Sequence, residues 1–213
     1  MRQVLNLNLT SFDTGMMLFH GGYASGKTYL VGDFLKTESQ YGPIKFINVQ
    51  GEDGHMSLAS FGLGKVGETV ETYADFEEVI KELRASKLQA LGVDSLKPLA
   101  RLTMMHELGE DRLPKVGGNT NEWGPVHFAM SGLVNKLRLC ARYVMCVCPS
   151  DKSVNQLDKQ TYITPDLPGR EAIESTGWFD LVGYLTVQSI GPGRFKRLLK
   201  LAPNSEIAVR QRL

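Results

Sequence analysis

The sequence predicts an α/β protein: a mostly parallel central sheet flanked by helices, with an antiparallel extension at its C-terminal end. Up to Ser150, short apolar runs alternate with helix-like segments, which is the pattern of a parallel sheet. The run LQALGVD (88–94) is apolar on both faces, which is typical of a strand covered by helices on both sides. After Ser150 the segments become shorter and Gly-Pro-Gly stands at 191–193, which indicates antiparallel hairpins.

The elements of the first half follow from their own residue patterns. MMLFH (16–20) predicts a strand that enters a glycine-rich turn, and a helical pattern runs from Lys27 to about Lys36. GPIKFINV (42–49) predicts the next strand. TYADFEEVIKELRAS (72–86) predicts a helix, because its apolar residues recur at helical spacing with acids early and bases late.

In the second half, strand and helix patterns alternate in the same way up to Ser150, and shorter strands are predicted after it. A polar, glycine-containing stretch at 104–121 is long enough to predict a functional or mobile loop. WGPVHFAMSGLVNKLRLCAR (123–142) predicts an amphipathic helix, and RYVMCVC (142–148) predicts another buried strand. Four short strands are expected in the antiparallel extension, at roughly 160–164, 179–188, 194–202 and 206–210.

Length and composition predict one domain over residues 1–213. The net charge of +1 excludes neither a nucleic acid nor an acidic small molecule as partner, because a basic face can lie within a balanced total. No apolar run approaches the roughly 20 residues that span a bilayer, and MRQVLNLNLTSF lacks a signal peptide's apolar stretch. We therefore expect a cytoplasmic protein without a membrane partner.

The three cysteines are Cys140, Cys146 and Cys148. An odd number without a signal peptide indicates a reducing compartment. Cys146 and Cys148 share one face of the predicted strand RYVMCVC, and we expect both to be buried core residues; a metal or redox role is the alternative, but no histidine or further cysteine stands near them.

The segment GGYASGKT (21–28) carries the pattern G-x-x-x-x-G-K-[ST] between an apolar strand and a helix. Its glycines let successive backbone N–H groups turn toward phosphate oxygens, and the following helix adds its positive end. Lys27 is expected to reach the β- and γ-phosphates and Thr28 to bind Mg²⁺, which predicts ATP with Mg²⁺ as the cofactor. A chance glycine-rich turn is the alternative. The predicted nucleotide-binding residues are Gly21, Gly22, Tyr23, Ala24, Ser25, Gly26, Lys27, Thr28 and Tyr29.

Asp94 ends the apolar run LQALGVD and is the second candidate Mg²⁺ residue beside Thr28. A carboxylate at the carboxyl end of a buried strand can hold the metal through water. The alternative is that Asp94 caps the helix that LKPLARL begins.

Three stretches together resemble the phage-encoded RecA-like ATPases, some of which act as single-strand annealing recombinases. They are the early phosphate loop, the strand that ends in V-D-S (93–95), and PDLPGR (165–170) before WFDLVGYL (178–185). The first two mark P-loop ATPases broadly, the serine after the acid is typical of the RecA-like branch, and the third is more specific to the family. The likeness runs from about Met16 to Arg212, and it implies a RecA-like P-loop fold.

The resemblance implies a carboxylate after the second strand, where it would activate the attacking water. That strand is IKFINV (44–49), and the position that matches the usual acid holds Gln50. A glutamine can orient a water but cannot take its proton. We expect Glu52 to act instead; otherwise hydrolysis is slow and the acidic turn is a solvated loop.

The resemblance also implies a polar sensor of the γ-phosphate after the strand that follows the metal-site strand. The match is Ser150, directly after RYVMCVCP (142–149). Its alternative reading is a turn residue after Pro149.

In RecA-like proteins, the loops after these two strands line a DNA channel. Here they are roughly 96–121 and 151–170, whose basic side chains suit sequence-independent phosphate contact, with one aromatic ring for base stacking. Acids in the first loop weaken this reading, and solvated polar loops are the alternative. The candidate nucleic-acid contacts are Arg101, Arg112, Lys115, Lys152, Lys159, Tyr162 and Arg170.

The C-terminal tail is basic, and RFKRLLK (194–200) predicts a strand within it. Alternation places Arg194 and Lys196 on one strand face, with Phe195 and Arg197 on the other. The resemblance implies that a base from this region completes the ATP site of a neighbouring subunit, as an arginine finger does. The candidates are Arg194, Lys196 and Arg210; a solvated edge strand is the alternative.

The function expected from this resemblance is Mg²⁺-dependent ATP binding and hydrolysis by a phage protein that acts on single-stranded DNA in recombination or replication. ATP would order the subunits into a ring or filament, and a single-strand-binding protein is a further candidate partner. One alternative, which Gln50 favours, is a nucleotide-gated interaction module with little hydrolysis. Another is a P-loop nucleoside or nucleotide kinase, but the 104–121 loop has a single arginine for the lid that such enzymes use.

Overall fold

The computed structural model describes residues 14–50, 54–117, 120–154, 161–168, 174–201 and 210–211. Its helices are α1 (Lys27–Glu38), α2 (Gly54–Ala59), α3 (Tyr73–Ala85), α4 (Leu96–Leu108) and α5 (Trp123–Arg138). Its strands are β1 (Gly15–Gly21), β2 (Ile44–Val49), β3 (Gly67–Val70), β4 (Leu88–Asp94), β5 (Val116–Gly117), β6 (Thr120–Asn121), β7 (Ala141–Val154), β8 (Thr161–Pro165), β9 (Leu181–Gly191), β10 (Arg194–Lys200) and β11 (Arg210–Gln211).

One nine-stranded sheet runs through the described residues in the order β10–β9–β1–β7–β4–β2–β3, with β8 beside β7 and β11 beside β9. The pairs among β1, β2, β3, β4, β7 and β9 are parallel. β8, β10 and β11 pair antiparallel to their neighbours. The predicted α/β architecture, a mostly parallel sheet with an antiparallel extension toward the C-terminus, is confirmed.

The strand order brings the carboxyl ends of β1 and β4 to the two sides of β7, which continues past them to Val154. β7 lies between β1 and β4, with Gly21 opposite Pro149 and Asp94 opposite Val147. The chain leaves β1 through α1 and continues in β2, on the far side of β4. A sheet whose strand order reverses in this way opens a crevice at the carboxyl ends of its strands, where ligands bind in such folds.

Helices cover both faces of the sheet. On one face, α1 and α2 pack through Val31, Leu35 and Leu58. On the other face, α3, α4 and α5 pack through side chains such as Phe76 and Leu99. Since both faces are covered, the central strands carry nearly continuous apolar runs, and β4 is buried along almost its whole length.

Two helices differ in length from their predictions. α4 continues to Leu108, so the loop expected from residue 104 begins at Gly109, whose φ of 71° ends the helix in the left-handed region. Met104 is buried against the core, and this packing extends the helix beyond the predicted point. α5 ends at Arg138 rather than at residue 142, because Ala141 already belongs to β7.

The region after Ser150 also differs in its strand directions. The strand expected at 179–188 is β9, which pairs parallel to β1 and antiparallel to β10. The prediction that this strand belongs to an antiparallel extension was therefore wrong for residues 181–185, which pair with β1. β9 runs in the same direction as β1, and its pairings with β10 and β11 are antiparallel. The short elements α2 and β3 were not predicted, since neither carries a long periodic pattern.

The three cysteines are buried, which confirms the prediction for Cys146 and Cys148. Burial raises the pKa of the Cys140 thiol to about 11 and also raises the pKa values of Cys146 and Cys148. Within the described ranges, no helix is both long enough and apolar enough to cross a bilayer.

Candidate functional site

The phosphate loop joins β1 to α1 at the centre of the crevice. β1 ends at Gly21 and α1 begins at Lys27, so the segment between them turns tightly at the carboxyl edge of the sheet. Gly26, the residue before the helix, has φ 97° and ψ 24°, a left-handed conformation that favours glycine. The backbone conformation therefore favours glycine at position 26, the last glycine of the motif. Lys27 and Thr28, the first residues of α1, face the crevice.

Two side chains of the loop are held inside it. Lys27 Nζ donates hydrogen bonds to the carbonyl oxygens of Gly21 and Gly22, each at 3.0 Å, which keeps the ammonium group curled over the loop. Ser25 is 2 % exposed, and its hydroxyl has no hydrogen-bond partner among the described residues. A buried hydroxyl without a partner costs roughly 1–3 kcal/mol of stability. A ligand oxygen or a water bound in the loop would accept from Ser25 or donate to it and so remove this cost.

Thr28 and Asp94 meet across the crevice. Thr28 Oγ1 donates a hydrogen bond of 2.6 Å to Asp94 Oδ2, and Asp94 is only 3 % exposed. The residue that stands at the N-terminus of α4 is Ser95, not Asp94, and the peptide bond between these two residues is cis. A Cβ added at Gly54 would lie 3.0 Å from Asp94 Oδ2, so the start of α2 closes one side of the carboxylate.

A cleft of about 590 Å³ lies over the phosphate loop. This volume is within the usual range for small-molecule and cofactor sites. Six of the nine residues predicted to bind the nucleotide line it: Tyr23, Ala24, Gly26, Lys27, Thr28 and Tyr29. Gln50, Asp94 and Arg101 line it as well, so the cleft collects candidates from three separate predictions.

Ser150 contacts the residue that precedes the phosphate loop. Its hydroxyl lies 2.9 Å from Nδ1 of His20, which is fully buried at the end of β1. The His20 ring also packs against Tyr184 of β9, with ring centroids 5.3 Å apart. Ser150, the predicted sensor, is thus connected to the start of the phosphate loop through His20. His20 was not predicted to belong to the site, although its position directly before Gly21 was an available signal.

Lys97 is a second residue that the sequence reading missed. It lines the cleft, and its Nζ donates a hydrogen bond of 2.5 Å to Asp166 Oδ2. This hydrogen bond is the main cause that raises the pKa of Lys97. The Asp166 backbone N–H in turn donates to the carbonyl oxygen of Pro149 at 2.8 Å. Asp166 of the PDLPGR segment is therefore connected to the cleft through Lys97. No local sequence pattern predicts this contact.

Arg197 is the third missed residue, and it lies on the phosphate loop of its own chain. A Cβ added at Gly26 would stand 2.7 Å from Arg197 Nε and 2.8 Å from Arg197 Cδ. Arg197 also lines the cleft. The strand alternation had already separated Arg197 from Arg194 and Lys196, but the sequence could not tell which face of β10 turns toward the loop.

The candidate nucleic-acid residues have different surroundings. Arg101 pairs with Asp111, and Arg112 pairs with Glu110 and Glu122, so carboxylates neutralise both guanidinium groups. Lys115 and Lys152 are exposed, and Tyr162 is half-buried on β8. Lys159 and Arg170 lie outside the described residues. A role in DNA contact is a prediction for all seven, and the ion pairs weaken the electrostatic argument for Arg101 and Arg112.

The remaining candidates are spread around the site. Arg194 and Lys196 are exposed on β10 and are not among the described residues that line the cleft. Arg210 pairs with Val182 of β9 through its backbone. Gln50 stands at the rim with its backbone N–H bonded to the carbonyl oxygen of Val70. Glu52, the predicted base, lies outside the described residues.

The residues of the cleft fit a nucleotide triphosphate with Mg²⁺. The loop holds the Lys27 ammonium group and the buried Ser25 hydroxyl, which has no partner within the described ranges, and both are suited to phosphate oxygens. Thr28 and Asp94 offer the hard oxygen donors that Mg²⁺ prefers, and they are already in contact. The site therefore combines the positive groups, the oxygen donors and the volume that such a ligand needs.

Comparisons with known proteins agree with this geometry. A family model described as an AAA domain matches residues 15–213. A KaiC-like protein from the hyperthermophilic archaeon Pyrococcus horikoshii OT3 is similar in structure, with a TM-score of 0.55 and 17 % sequence identity over 88 % of this chain and 79 % of that chain. This likeness confirms the predicted RecA-like P-loop fold. No curated protein matches the chain. Because the family model covers nearly the whole sequence, the chain belongs to the AAA domain family.

Proposed function

We propose that this protein is a Mg²⁺-dependent ATPase that acts on single-stranded DNA, in recombination or replication of a phage. The observation that carries the ATPase part is the contact between Thr28 and Asp94 at 2.6 Å beside the curled Lys27 side chain. Membership of the AAA domain family supports a nucleotide triphosphate as the ligand.

Each residue of the cleft has a separate task in this proposal. Backbone N–H groups of the loop and the N-terminus of α1 bind phosphate oxygens, and Lys27 moves from the Gly21 and Gly22 carbonyl oxygens to the β- and γ-phosphates. Thr28 and Asp94 would hold Mg²⁺. The metal would supply positive charge that offsets the charge developing on the phosphoryl group transferred to water.

The attacking water needs a base, and Glu52 has this task. Gln50 lines the cleft but cannot accept a proton, so it orients the water at most. Glu52 follows it by two residues and remains a prediction from the sequence.

The proposed action on DNA is supported by the resemblance to RecA-like ATPases and by the bond from Lys97 in the cleft to Asp166, which lies within the second candidate DNA loop (151–170). We propose that ATP binding acts on this loop through Lys97 and assembles copies of the chain into a ring or filament on the DNA. Exposed Lys115 and Lys152 then contribute phosphate contacts without base specificity.

The test is ATP hydrolysis by the purified protein with Mg²⁺, with and without single-stranded DNA, while its mass in solution is followed by light scattering. We expect turnover that DNA stimulates and assembly that ATP promotes. Lys27→Ala should abolish both, because tight triphosphate binding requires the loop lysine; its unfolding curve should match that of the wild type.

Two outcomes would change the proposal. Turnover that needs a nucleoside or nucleotide acceptor and ignores DNA would make the protein a kinase. Tight ATP binding without turnover in any condition would favour the nucleotide-gated module, the alternative that Gln50 in the cleft supports.

A further inference from the structure

We propose that Arg197 binds the phosphates of the nucleotide held by its own chain. This proposal rests on the ATPase function above and adds a residue to the same site. In RecA-like assemblies a base from a neighbouring subunit is expected to perform such a task. Here the structure places a guanidinium group of the same chain over the phosphate loop, and four observations carry the assignment.

The first observation is contact with the loop. Arg197 Nε and Cδ occupy the space beside Gly26 that a side chain at that position would fill, at 2.7 and 2.8 Å from an added Cβ. The glycine therefore has two uses: it adopts φ 97°, and it leaves room for the arginine. Gly26 directly precedes Lys27, so the guanidinium stands beside the part of the loop that carries the lysine.

The second observation is the strand register. Arg197 pairs with Val187 and Leu199 pairs with Leu185 in the β9–β10 hairpin, and Leu185 also pairs with Gly21 of β1. Leu199 packs against the core on the α1 side of the sheet. Since side chains alternate along a strand, Arg197 shares that face two residues earlier, which directs it toward the loop.

The third observation is the charge balance of the cleft. Lys97 pairs with Asp166 and Arg101 pairs with Asp111, so acids of the protein neutralise these two lining cations. No salt bridge links Arg197 to any carboxylate in the part of the chain that the structure describes. Arg197 therefore brings a positive charge to the cleft without an acidic partner in that part of the chain, which is the arrangement expected for a residue that pairs with an anionic ligand.

The fourth observation is the chemistry of the side chain. A guanidinium presents planar donors that match two phosphate oxygens at once, and its charge does not titrate below about pH 12. β10 is joined to β9, which pairs with β1, so this arginine is positioned by the same sheet that positions the loop. No subunit contact is needed to place it.

The affinity test uses Arg197→Ala, with Arg197→Gln as a second variant that keeps most of the side-chain length. Binding of a fluorescent ATP analogue with Mg²⁺ is titrated at protein concentrations where light scattering shows single chains. We expect both variants to bind roughly 10- to 100-fold more weakly, the range for one charge-assisted hydrogen-bonded contact. Lys200→Ala removes the same charge from the same strand on the opposite face and should leave the affinity unchanged.

A mixing test separates the same-chain role from a neighbouring-subunit role. Arg197→Ala chains, which keep Lys27, are titrated in the presence of excess Lys27→Ala chains, which keep Arg197. We expect no recovery of affinity, because the missing guanidinium belongs to the chain that holds the nucleotide. Recovery to the wild-type value would overturn the proposal and assign Arg197 to the neighbour's site.

The same titrations separate this proposal from the ATPase function. If Lys27→Ala loses binding while both Arg197 variants bind as the wild type does, the Arg197 assignment is wrong and the nucleotide site stands. If Lys27→Ala also binds like the wild type, the nucleotide site itself is wrong and the Arg197 assignment falls with it.

Discussion

At the scale of single residues, Asp94 is the acid of the cleft that contacts the start of α1. Its carboxylate accepts a hydrogen bond from Thr28, and its neighbour across the sheet is Val147 of β7. It is nearly fully buried, so its interactions are screened little by solvent. A buried carboxylate that contacts the threonine of a phosphate loop is well placed to hold a divalent cation.

Replacing Asp94 by Asn is expected to remove the benefit of Mg²⁺ for ATP binding. The amide keeps the shape and can still accept from Thr28, but it lacks the charge that attracts the cation. We expect the affinity for ATP in Mg²⁺ to fall about tenfold or more, while the affinity measured in EDTA changes little. Fluorescent-nucleotide titrations in the two buffers measure this difference.

The control for Asp94→Asn is Glu78→Gln, which removes one acid from an exposed position on α3. It should behave like the wild type in both buffers. An Asp94→Asn variant that keeps its full Mg²⁺ response would show that the carboxylate has only a structural role.

At the scale of elements, the contact of α1 with β4 holds the phosphate loop against the metal-site strand. Gly92 lies in the middle of β4, where a Cβ would stand 2.5 Å from Val31 Cγ1 and 3.1 Å from Leu35 Cδ1. The helix therefore approaches the strand more closely than any side chain at Gly92 would allow. This close approach sets the position of Thr28 relative to Asp94.

Gly92→Ala is expected to lower the free energy of unfolding by about 1–3 kcal/mol, because the added methyl group overpacks the interface. Urea denaturation followed by circular dichroism measures the change. Gly132→Ala on α5 is the matched control, since its added Cβ meets no atom within 4 Å among the described residues, apart from its chain neighbours and the backbone of its own helix. It should be neutral or stabilising by up to about 1 kcal/mol, as expected for alanine in a helix. Equal stabilities of the two variants would contradict the packing argument.

At the scale of the whole molecule, the cleft is assembled from distant parts of the chain. The loop after β1, the end of β4, Pro149 of β7 and Arg197 of β10 all line it. A ligand that contacts these elements together binds the native state and not the unfolded chain. Nucleotide binding should therefore stabilise the fold as a unit.

Mg²⁺-ATP at about 100 times its Kd is expected to raise the unfolding temperature by roughly 5–10 °C. This follows from a linkage free energy of about 2.7 kcal/mol and a shift of about 2–4 °C per kcal/mol for a domain of this size. Calorimetry with and without the nucleotide measures the shift. Lys27→Ala should show no shift under the same conditions; an equal shift in that variant would place the nucleotide elsewhere.

Much of the framework could be predicted from the sequence because the signals are local. The apolar run of β4 and the helical spacing of α3 predicted these elements to within one residue, and α3 begins with a capping box between Thr72 and Asp75. The limits of α4 and α5 were less accurate, since burial of Met104 and the early start of β7 are set by packing.

By itself, the sequence determined the α/β class, because the strand and helix patterns alternate along the chain. It also determined the phosphate loop, because the glycines allow its backbone conformation and Lys27 and Thr28 supply its chemistry. Only the tertiary structure decided which distant side chains reach that loop. His20 joins Ser150, Lys97 joins Asp166, and Arg197 fills the space at Gly26. The physical reason is that strand order and register bring these residues together, and both depend on long-range pairing that no local stretch of sequence encodes.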